Sequence, residues 1–161
     1  MKKKRLVIFY IFVILLVVGC QSQSVSPTAS ISSDNSNTAL PLLDVDEIAL
    51  GQMVYVEHCA SCHGANLEGE ENWKMPNEDG SFKAPPHDKT GHTWHHADSL
   101  LLDSMRAGGA RLTGTMAGKS NMPAFGEILT EAEMKAVLTY IKSTWPDNIR
   151  STQWQQTQQS P

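Results

Sequence analysis

Cys59-Ala60-Ser61-Cys62-His63 places two thiols and an imidazole within one short stretch of chain. Each thiol can add across one vinyl group on the same edge of a porphyrin, and two intervening residues let a single tight turn reach both. The following side chain then points over the ring, so His63 can bind iron from the proximal side through a neutral nitrogen. Zinc sites and redox dithiols use the same cysteine spacing. Zinc needs further ligands, and with no second cysteine pair these would have to come from His58, His87, His92, His95 and His96. A redox dithiol belongs beside a βαβ pattern, and no strand-rich segment flanks these residues. The pattern therefore predicts one covalent haem, with Cys59 and Cys62 as thioether sulfurs and His63 as an axial ligand.

Cys20 is left over, and the start of the chain accounts for it. Lys2, Lys3, Lys4 and Arg5 precede an unbroken apolar run from Leu6 to Val18. That run is shorter than the roughly 20 residues a membrane span requires, but it suits the apolar region of a signal peptide. It ends in Val17-Val18-Gly19-Cys20, which resembles the bacterial lipoprotein box, with Val17 where leucine is usual. The resemblance implies a signal peptide over residues 1–19, cleaved before a lipid-modified Cys20. An ordinary cleaved signal and an uncleaved anchor are the alternatives, and both still put the remainder outside the cytoplasm. A diacylglycerol thioether has more than one acyl chain, enough for stable anchoring.

Residues 20–43 are rich in Ser, Thr, Asn and Gln and read as a flexible tether, spanning roughly 25–30 Å as a coil. With Lys2 to Arg5 removed, nine basic residues face 17 acidic ones and the formal charge moves from −4 to −8. An acidic body argues against nucleic acid as a partner and favours one presenting basic groups.

The folded part is expected over residues 44–146. Asp44 with Glu47, and Thr130 with Glu133, have the spacing of capping boxes. They predict helices to about Glu57 and through Met134, Val137, Leu138, Tyr140 and Ile141 to the break at Pro146. Asp98 is expected to cap a further helix through Leu100, Leu101 and Met105, ended by Gly108-Gly109. Three short helices make a thin core, and a large apolar macrocycle would fill it. Residues 147–161 are polar and Gln-rich, and are expected to form a poorly ordered tail.

From Asp44 to about Trp145 the chain resembles the class I (mitochondrial-type) monohaem c-type cytochromes. The resemblance rests on a helix with Gly51 and Tyr55 ahead of the haem motif, a late Met122-Pro123, and a closing helix with Tyr140. It implies an all-α fold of three to four short helices wrapped around one covalent haem c. It also implies a crossing of the first and last helices near Gly51, Tyr55, Val137 and Tyr140. Asn121-Met122-Pro123-Ala124-Phe125 resembles the family's distal segment, which makes Met122 the sixth iron ligand, with Met116 its main competitor. Met53, Met105 and Met134 fall within helices and are expected to pack in the core.

On the same resemblance, Trp94 or a nearby histidine donates a hydrogen bond to a haem propionate. His87, His92, His95 and His96 form either an exposed turn or a copper or zinc site. Two protein ligands leave iron no open position, so the expected function is one-electron transfer between redox-protein partners, with no catalytic residues. The alternatives are a haem subunit of an oxidase or dehydrogenase complex, and a haem catalyst or sensor whose methionine detaches.

Overall fold

Asp44 stands in extended backbone and its carboxylate accepts from the amides of Asp46 and Glu47, which starts helix α1 at Val45–His58. The computed structural model describes residues 40–160. The segments expected to form a signal peptide at 1–19 and, from Cys20 up to residue 39, a tether lie outside the described residues. Glu47 does not complete a capping box; its carboxylate instead accepts from the Thr139 hydroxyl at 3.1 Å. One residue beyond α1 comes α2, Ala60–His63, which with its N-cap Cys59 holds the Cys-x-x-Cys-His segment. Helix α3 spans Asp98–Ala107, α4 spans Glu131–Ser143 and α5 spans Asp147–Gln159. Among the described residues there is no strand, only an isolated bridge between Phe82 and Ser120.

The core is the crossing of α1 and α4. Gly51, Val54 and Tyr55 from α1 meet Met134, Val137, Leu138 and Ile141 from α4, all buried. A side chain at position 51 would run into the backbone carbonyl of Ala136, so glycine is what lets the two helices touch. Tyr55 and Tyr140 pack with ring centroids 5.5 Å apart. Thr130 and Glu133 form the complete capping box that the sequence predicts for α4. Arg106 on α3 reaches Glu131 with two 2.9 Å hydrogen bonds, tying α3 to the start of α4.

Three expectations change. Asp98 is the first residue of α3 rather than its cap, and its carboxylate pairs with Lys142 at 2.6 Å. Met53 and Val56 lie on the outer face of α1, 65% and 59% exposed, because the α4 contact uses the Gly51–Tyr55 side. Residues 147–159 are not a loose tail but helix α5.

Helix α5 docks through polar atoms. Gln153 is 2% exposed, and its amide donates to the His96 carbonyl, the Asp98 carboxylate and the Thr157 hydroxyl. Ile149 adds an apolar contact to the core, and Arg150 donates to the Pro41 carbonyl at 2.7 Å. Trp154 is half-buried, with its indole N–H inside and without a partner among the described residues. Truncating Gln153 would remove the donor that joins α5 to the His96 carbonyl and the Asp98 carboxylate. Gln153→Ala is therefore expected to cost about 2 kcal/mol and to strip amide-exchange protection from α5. The haem spectrum should stay unchanged. Full protection of α5 in the variant would show that the helix docks by other means.

Candidate functional site

The site is built where α1 ends. Cys59 is the C-cap of α1 and the N-cap of α2, and its amide bonds back to the Tyr55 carbonyl at 2.9 Å. This single-turn geometry sets Cys59 half-buried against the core and leaves Cys62 exposed, both as free thiols. Burial pushes the Cys59 thiol up to about 11, with neighbouring Cys62 adding in the same direction. Gly64 then turns the chain at a φ of +82°, outside the range of most side-chain-bearing residues. The Tyr55 hydroxyl donates to the Gly64 carbonyl at 2.9 Å and pins that turn to the core.

His63 ends α2 and is buried, at 8% exposure. The loop after it folds back on itself: the amide of Gly69 bonds to the His63 carbonyl at 2.7 Å and that of His87 to the Leu67 carbonyl at 2.8 Å. This return brings the Pro85 carbonyl 2.8 Å from His63 Nδ1. A carbonyl can only accept, so Nδ1 carries the proton and Nε2 keeps its lone pair. Burial lowers the pKa of His63 and favours the neutral ring, with the Pro85 bond and Glu70 opposing in part. A ligating imidazole held by its other nitrogen is the usual arrangement at a metal centre.

Met122 comes from the opposite part of the chain. It is half-buried against the same core cluster that Cys59 and Trp94 border. Its segment is strapped to the end of α3: Gly109 donates to the Met122 carbonyl at 2.8 Å and Phe125 to the Met105 carbonyl at 2.9 Å. Gly108 has a φ of +55°, and a Cβ there would overlap the carbonyls of Met122 and Pro123. Met116, the competing thioether, is 41% exposed, Met134 is core at 1%, and Met105 packs partly buried.

Trp94 sits in the 3-10 turn Thr93–His95 with its ring stacked on His95 at 3.7 Å. Its indole N–H is buried and has no partner among the described residues. A buried donor without an acceptor is costly, and a carboxylate at the edge of a macrocycle would satisfy it. The donor set thus fits a haem: a pair of thiols at one rim, an imidazole with its lone pair free, a half-buried thioether and an orphan N–H.

The remaining histidines do not gather. His92 stacks on Trp73 at 5.2 Å and meets His96 edge-on at 5.3 Å, while His87 stacks on His63 at 4.1 Å. Among the described residues no group of three or more His, Cys, Asp or Glu is arranged to hold a metal ion. Leu67 is buried in the core, whereas Asn66 is exposed. Sequence reasoning missed Pro85 and the His87 contact. Two consecutive prolines restrict the backbone there, but nothing in residue type says which carbonyl such a segment presents.

A family model described as Cytochrome c matches residues 48–145. The match runs from α1 to the end of α4 and stops short of α5. No curated protein matches the chain.

Proposed function

The chain belongs to the cytochrome c family and carries covalent haem c for electron transfer, and on that premise we propose a class I, single-haem carrier with His63 and Met122 as axial ligands, tethered outside the cytoplasm by a lipid on Cys20. Haem c, when bound, supplies the one-electron ferric–ferrous couple. Cys59 and Cys62 hold the group by two thioethers, and Trp94 donates to a propionate. The observation that carries the reading is the His63 Nδ1–Pro85 bond at 2.8 Å, which fixes the tautomer a metal ligand requires. A thioether opposite imidazole favours ferrous iron and raises the potential relative to two imidazoles.

With both positions filled by protein side chains, little has to move when iron changes oxidation state. That suits transfer between a protein donor and a protein acceptor, and it needs no acid, base or nucleophile. Support for the tether comes from the basic start, the short apolar run and the Val17-Val18-Gly19-Cys20 sequence. The acidic balance of the remaining chain suits docking to partners with basic surfaces. The same domain working as a fixed subunit of an oxidase or dehydrogenase would reveal itself by co-purification.

Mass spectrometry of the membrane-extracted protein, joined to a ferric optical spectrum, tests the whole reading. The expected mass is the chain from Cys20 onward plus one haem and a diacylglycerol group, and the spectrum should hold a methionine-to-iron charge-transfer band. A chain beginning elsewhere would remove the anchor, and a resting high-spin signal would replace the carrier with a catalyst or sensor.

A further inference from the structure

His87 has no task in the electron-carrier reading, yet it is among the most constrained side chains in the domain. Its ring lies face to face with that of His63, the centroids 4.1 Å apart and the planes 25° from parallel. Nδ1 is 2.8 Å from the hydroxyl of buried Thr93, which in turn donates to the Pro86 carbonyl at 3.3 Å. That direction of donation puts the shared proton on His87 Nδ1. The main chain is fixed as well: the His87 amide bonds to Leu67, and its carbonyl accepts from the Trp145 indole at 2.7 Å. Tyr55 closes another side, edge-on at 6.4 Å.

The Pro85 bond fixes where His63 Nδ1 sits, but one hydrogen bond leaves the ring free to tilt about it. A flat, immobile neighbour at 4.1 Å removes that freedom. The tilt matters because the plane of an axial imidazole sets how its π orbitals overlap the iron d orbitals. The face of an aromatic ring is also negative and stabilises positive charge beside it. An aliphatic side chain of similar volume could fill the space without supplying either effect.

We propose that His87 is a positioning residue for the iron ligand: a fixed imidazole wall that sets the plane of the His63 ring and favours the ferric state. The proposal rests on the reading of His63 as an axial ligand of an electron carrier. His87 acts through its stacking on His63.

The test uses the haem-loaded full chain in three variants. His87→Leu removes the aromatic wall, His87→Phe restores one, and Thr93→Val keeps the imidazole but releases its hydrogen bond. In His87→Leu the ferric low-spin paramagnetic resonance signal should move to a different rhombicity and the reduction potential should rise. Thr93→Val should shift both in the same direction and by less, and His87→Phe should recover most of the wild-type potential. Wild-type g-values and potential in both His87→Leu and Thr93→Val would overturn the proposal. If His87→Leu fails to hold haem, an unchanged Thr93→Val signal overturns it alone. A wild-type protein with no low-spin ferric signal would sink the electron-carrier reading itself, and this proposal with it.

Discussion

Met122→Ala is expected to convert the ferric protein from low-spin to high-spin and to abolish the charge-transfer band. Alanine has no donor atom, and iron loses one of its two protein ligands. The potential should fall by an appreciable part of the ~0.8 V range over which axial ligands set haem potentials. Attachment through Cys59 and Cys62 should survive, because neither thiol depends on position 122. Two companions sharpen the result. Met122→His should stay low-spin at a lowered potential, since imidazole replaces thioether. Met116→Ala should change neither spectrum nor potential, because Met116 is 41% exposed and lies outside the core cluster. A low-spin Met122→Ala protein with its charge-transfer band intact would move the ligand elsewhere.

Gly51→Leu is expected to leave almost no folded, haem-bearing protein, and Gly51→Ala to be measurably weakened. Even the single carbon of alanine would overlap the Ala136 carbonyl and crowd Tyr140 Cβ, so α1 and α4 would have to separate. Alanine gains about 1 kcal/mol of helix propensity over glycine. Overpacking in a close contact costs about 1–3 kcal/mol and more where backbone is the obstacle. The net loss for alanine should therefore be about 2 kcal/mol, a drop in melting temperature of roughly 8–16 °C for a domain of this size. Leucine adds three further carbons that have nowhere to go, at a cost comparable with the whole stability of a small domain, about 5–15 kcal/mol. Thermal melting followed at the haem band checks both. A stabilised Gly51→Ala protein would mean the helices do not cross as described.

The attachment site was legible because its chemistry fixes its spacing. Cys59, Cys62 and His63 could be read as a haem grip without knowing any fold, and the structure puts all three on one turn. The helices of the main body were legible from their starts: Thr130 and Glu133 form a complete capping box, and Asp44 caps α1 without its second half. Its place within a helix ranked Met53 with the core, but α1 has more apolar positions than one α4-facing stripe can bury. The glycine at 51 decides which side wins. Helix α5 escaped because its buried face is carried by Gln153 and Thr157 with few apolar side chains. A hydrophobicity pattern does not see a helix that docks by hydrogen bonds. The His63–Pro85 and His63–His87 contacts arise from a long return loop, whose closure depends on tertiary bonds between residues far apart in sequence.

The bond from Arg150 to the Pro41 carbonyl joins the last helix to the chain just ahead of the first, at 2.7 Å. Its consequence is mechanical. The segment ahead of α1 is thereby held at two points, by the covalent start of α1 and by a side chain of α5, the element lying outside the family match.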